Sequence, residues 1–107
     1  MSEAEDQERV ARELAEELRR LRIEDVLIQT LITVSSLGYR RLGLTDETKD
    51  ERDLQQAKLA IETMRALTPV LEATIPADLV RDFNQSVASM QLAYAEAAAA
   101  EEADGEG

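Results

Sequence analysis

The side chains of this 107-residue chain that could do chemistry are carboxylates, hydroxyls and arginines, because it contains no histidine and no cysteine. That absence removes imidazole and thiolate metal sites, a cysteine nucleophile and any histidine general base. Glu13, Glu16 and Glu17, or Glu101, Glu102 and Asp104, are dense enough to suggest a metal cluster. Helical di-iron centres, however, need Glu-x-x-His pairs on inward faces, and surface acids without them form a solvated face. The acidic stretch 46–53 lacks the central glycine of a calcium loop. Ser35, Ser36, Ser86 and Ser89 have no histidine to activate them, and Lys49 and Lys58 lie in polar sequence away from an apolar cleft. No glycine-rich phosphate loop is present. Tyr39 and Tyr94 fall on apolar stripes, where core packing with the hydroxyl at the rim accounts for them. The expectation is a non-enzymatic chain with no catalytic residue, no metal and no cofactor.

One local string is unusual, Gly38-Tyr39-Arg40-Arg41-Leu42-Gly43. Arg40 and Arg41 have the chemistry to grip a carboxylate or phosphate anion. They equally suit a helix C-terminus, where they would complement the end of the dipole and pair with Asp46, Glu47 or the tail. Both readings stay open at the level of sequence.

The formal net charge of −11 sets the partners. Phosphate backbones and anionic lipid surfaces are repelled, so neither nucleic acid nor membrane is expected to bind. The first 22 residues carry charges throughout and hold no signal-peptide core. The longest uncharged stretch, from Val26 to Tyr39 apart from polar groups, is short of the roughly 20 apolar residues a bilayer requires. A cytoplasmic protein is the default expectation.

The elements that must position these groups are helices. Leu, Ile, Val and Phe make up about a quarter of the chain, above the roughly 20% level that signals disorder, and Ala, Leu, Glu and Arg dominate the rest. Residues 1–22 carry a narrow seam, Val10, Leu14, Leu18 and Leu21, on a charge-dense helix. It reads as a charged N-terminal extension running on into the next helix, with a dimerising coiled-coil arm as the alternative. From Ile23 the apolar residues crowd onto half a helical circumference: Ile23, Leu27, Leu31, Val34 and Gly38, flanked by Ile28, Ile32 and Tyr39. An arc that wide needs partners on two sides, which predicts self-association through Leu27, Ile28, Leu31, Ile32, Ser35, Gly38 and Tyr39. Gly43 suits the position just past the helix end.

Thr48 and Glu51 form a capping-box pattern before a second helix reaching Glu72, which Pro69 should kink or end. Pro76 then opens a third helix carrying Leu79, Phe83, Val87, Met90, Tyr94 and Ala97 along one face. The spacing therefore predicts an all-α, three-helix domain over 23–95 that packs as a helical homo-oligomer. Residues 96–107, mostly alanines and acids, are expected to fray into an acidic Ala-rich tail.

The helix ending Ser35-Ser36-Leu37-Gly38-Tyr39-Arg40-Arg41-Leu42-Gly43, an acidic linker, and then Asp53-Leu54-Gln55-Gln56-Ala57-Lys58-Leu59-Ala60-Ile61-Glu62-Thr63-Met64 resemble the small bacterial family catalogued as domain of unknown function 1844. The similarity spans roughly residues 23–94. The link 72–78, with Pro69 before it and Pro76 within it, departs from the Lys, Gly and Asn-rich link of better-known members. The resemblance implies a helical domain and adds no catalytic residue. The functional expectation is an interaction or assembly protein that binds itself, as a homodimer. The alternative is an acidic binder or antagonist of a basic protein, for example in the translation machinery.

Overall fold

The computed structural model describes residues 2–106 and is all-helical: α1 (Glu3–Arg20), α2 (Ile23–Leu42), a 3-10 turn (Lys49–Glu51), α3 (Leu54–Leu71) and α4 (Ala77–Glu106). Met1 and Gly107, at the outer ends of the 1–22 and 96–107 segments, lie outside the described residues. The core is a three-helix bundle of α2, α3 and α4, in which α3 packs on both of its neighbours. Leu31 and Leu42 from α2, Met64 and Leu71 from α3, and Phe83, Val87 and Met90 from α4 are buried together. The inward residues of each helix fall three or four apart, as a 3.6-residue period demands.

The N-terminal segment differs from the expected extension. α1 ends at Arg20, and Leu21 and Arg22 are both extended, with ψ of 134° and 151°, so the chain breaks before α2 begins. The break carries neither glycine nor proline. The Arg22 side chain gives no cap to α2 and instead bonds Glu24 through Nε at 2.6 Å. Ser2 caps α1 by accepting from the Glu5 amide at 3.2 Å. The described chain thus has four α-helices, and α1 packs against no other element among the described residues.

Further along, the expected capping box is displaced. Thr48 gives no side-chain cap to the 3-10 turn; it bonds Thr45 across the loop, with the two hydroxyls 2.9 Å apart. The residue that caps α3 is Asp53, whose Oδ1 accepts from the Gln56 amide at 3.2 Å. Helix α3 continues past Pro69 to Leu71, and Thr68, buried beside it, donates to the Met64 carbonyl at 2.7 Å. Pro76 immediately precedes α4, its carbonyl accepting from the Val80 amide at 3.2 Å. Helix α4 does not fray at Ala95 but runs to Glu106, with Ala97 buried.

The molecule is far from compact. Its radius of gyration is 19.2 Å, against about 13 Å for a compact chain of this length. Its accessible surface is 7831 Å², about 1,900 Å² above the roughly 5,900 Å² of a compact monomer of its mass. Much of that excess belongs to α1, none of whose described residues is buried.

Candidate interaction surface

Two uncovered surfaces, one on α1 and one along α2 and α3, hold most of the exposed large apolar groups, while Ile23, Ile32, Tyr39, Leu44 and Leu92 are exposed outside them. On α1, the seam residues Val10, Leu14, Leu18 and the adjoining Leu21 are each more than half exposed. An isolated helix of this length is marginal in water, and packing of its apolar face supplies most of a helix's stability. Within the described residues the seam packs on no other element.

The second surface lies along the groove between α2 and α3. On α2, Val26, Thr30, Thr33 and Leu37 recur at intervals of 4, 3 and 4 and are exposed. On α3, Leu59, Thr63, Ala66 and Val70 repeat the same intervals and are exposed or half-buried. At one end these stripes line an open cleft in which Val34, Leu37 and Arg41 face Gln56, Leu59 and Thr63. Gly38 and Ala60 form its floor, with Met90 packed behind them. Neither stripe carries a charge. An uncharged face two helices wide is the shape that accepts a further helix in a four-helix bundle.

The residues that sequence periodicity assigns to self-association are divided between inside and outside. Leu31 and Gly38 are buried within the bundle and are spent on contacts within the chain. Leu27 and Ile28 are half-buried against that core, and Ser35 is half-buried. Ile32 and Tyr39 are the exposed members of the set. The uncovered α2 stripe lies on the other flank of the helix, at Val26 and Leu37, and Leu59 and Val70 extend it onto α3. Their signal in the sequence is a heptad-like spacing of uncharged residues beside the core stripe, which charge-free threonines and an alanine keep weak.

Arg40 and Arg41 already have a carboxylate. Arg40 donates to Glu51 through Nε at 3.0 Å and through a terminal nitrogen at 2.6 Å, and Arg41 lies 3.6 Å from the same group. The partner is Glu51 of the 3-10 turn in place of Asp46 or Glu47. The Arg40 hydrogen bonds hold the Glu51 carboxyl below its ordinary range, against an opposing desolvation and helped by the charges of Arg40 and Arg41. Beside them Arg52 closes the helix end: its Nε donates to the Leu42 carbonyl at 2.8 Å and a terminal nitrogen reaches the Gly43 carbonyl at 3.3 Å. Gly43 is left-handed, with φ of 62°, and a Cβ there would lie 2.8 Å from the Arg52 Cβ. The arginine cluster thus ties α2 to the following turn.

The remaining candidates for chemistry stay dispersed. Glu13, Glu16 and Glu17 are exposed on α1, as are Glu101, Glu102 and Asp104 on α4, and no metal-holding group of three acids occurs among the described residues. Tyr94 packs against the core, and Lys49 and Lys58 are exposed. No described helix is long and apolar enough to cross a membrane. Comparison with protein families, curated proteins and solved structures finds no match to this chain. The resemblance to domain of unknown function 1844 rests on the residue patterns of 35–43 and 53–64 alone.

Proposed function

We propose that the protein is a non-catalytic helical assembly module of the cytoplasm that binds a second copy of itself through apolar helix surfaces. The observation that carries this reading is the exposure, on one chain, of both an amphipathic helix lacking a partner and a two-helix face lacking a fourth helix. The excess exposed surface, about 1,900 Å² per chain, is more than the roughly 800 Å² that each partner contributes to a stable interface. A second reading, capture of a basic protein, is supported by the exposed acidic end of α4 at Glu101, Glu102 and Asp104.

Sedimentation velocity across a salt series separates the two. Association through apolar helices persists or strengthens as salt rises, whereas acidic capture of a basic partner fades as charges are screened over about 8–10 Å. A chain that sediments as a monomer at every salt concentration contradicts the first reading.

A further inference from the structure

We infer that α1 is an exchanged arm: in the dimer, the α1 of each copy lies antiparallel to α2 in the α2/α3 groove of the other. This rests on the self-association proposed above and names its interface.

The lengths agree. The seam from Val10 to Leu21 and the stripe from Val26 to Leu37 each cover eleven residue steps, about 16 Å of helix. Antiparallel, all four seam positions meet all four stripe positions, with Leu21 at Val26, Leu18 near Thr30, Leu14 at Thr33 and Val10 at Leu37. The α3 stripe from Leu59 to Val70 has the same span, and its Leu59 and Thr63 form the other wall at the Leu37 end.

The charges agree in the same orientation. Helix α1 opens with Glu3, Glu5 and Asp6 and closes with Arg19 and Arg20. Helix α2 opens with Glu24 and Asp25 and closes with Arg40 and Arg41. Antiparallel packing sets acids against bases at both ends and opposes the two helix dipoles. In the four-for-four register Asp6, which pairs with Arg9 on α1, lies level with Arg41, which lines the groove beside Glu51, and Arg22, bonded to Glu24, lies level with Asp25.

The link favours a second copy over the chain's own groove. In this register Arg20 stands level with Leu27, so a chain folding back on itself must return about 6 Å along the axis and cross 8–10 Å between helices. That path is about 10–12 Å, and the three steps from Arg20 to Ile23 span at most about 10–11 Å. In the structure Leu21 and Arg22 are extended, Leu21 borders the Val26 end of its own α2 stripe, and α1 from Glu3 to Arg20 stands clear of its own bundle. Docking on a second copy imposes no such limit, and reciprocal exchange closes a two-fold dimer.

The absence of cysteine makes the test direct. Leu14→Cys and Thr33→Cys are placed on separate chains, mixed and oxidised; both positions are exposed, so the fold is not at risk. The expected product is the mixed Leu14→Cys/Thr33→Cys disulfide, severalfold in excess of either homodisulfide. A predominant Leu14→Cys homodisulfide means that the arms pair with each other and overturns the groove assignment. In the doubly substituted chain, an internal disulfide at monomer mass places the arm in its own groove and overturns the exchange. Failure of any disulfide to form while unmodified protein still measures as a dimer overturns the exchange and leaves self-association standing, whereas a monomeric unmodified protein removes both.

Discussion

The methyl end of Met90 occupies the space where a Cβ on Gly38 would be, and the Ala60 Cβ lies 2.9 Å from that same point. Gly38, Ala60 and Met90 are all buried, and α2, α3 and α4 meet at this point. The glycine is retained in mid-helix, at a propensity cost of up to about 1 kcal/mol, because the crossing leaves no room for a side chain.

Gly38→Ala should therefore destabilise the bundle, since overpacking costs about 1–3 kcal/mol and the propensity gain offsets only part of it. The expected net loss is about 1 kcal/mol, a fall in Tm of roughly 4–8 °C. With Met90→Ala added, the two losses should fall short of additivity, because the new methyl fills part of the vacated space. Strictly additive losses in thermal or urea unfolding would mean that the two residues do not share that space.

Glu51 ties α2 to the 3-10 turn, and its lowered pKa fixes the pH dependence of that tie. A carboxyl whose pKa is lower folded than unfolded adds stability above the ordinary glutamate range, and the contribution disappears as pH falls through the lowered folded value. Wild type should thus exceed Glu51→Gln in stability at neutral pH, and the gap should close in the acid range. The contribution is small, because the pair is exposed. A gap that is unchanged across the acid range would show that the Arg40 pairing does not stabilise the fold.

The α4 extension divides at Ala98. Ala97 is buried and Ala98 half-buried, whereas residues 99–105 are exposed. Removing residues 99–107 should leave Tm nearly unchanged. Removing 96–107 should lower it by an amount consistent with losing one buried methyl, about 0.8 kcal/mol. Equal melting temperatures for the two truncations would show that Ala97 contributes nothing to the packing.

Helix type and inward faces were legible because periodicity reports burial directly: Leu31, Phe83 and Met90 sit on the stripes that the spacing defines. The break at Leu21–Arg22 was not, since an extended arginine leaves no mark in composition and the seam residue Leu21 suggests continuity with Ile23. Ala97 was legible on the stripe of the third helix, but the course of α4 to Glu106 was hidden for a related reason. A run of alanines looks weak as an apolar face, yet alanine has the highest intrinsic helix propensity and one methyl suffices to pack at Ala97. At the arginine cluster, the choice of Glu51 over Asp46 or Glu47 depends on the 3-10 turn that brings it back beside Arg40. Arg52 is isolated in sequence from the carbonyls it caps, so its role emerges only from the folded loop.

The central claim is self-association dependent on α1, and static light scattering of the full chain and of residues 23–107 at tens of micromolar tests it most directly. That concentration probes affinities of roughly 6–7 kcal/mol. The full chain, 11.9 kDa as a monomer, should measure at twice that mass, and residues 23–107 should measure as a monomer that keeps its helical bundle, because α1 packs on nothing within its own chain. A full-length chain that scatters as a monomer would contradict the account.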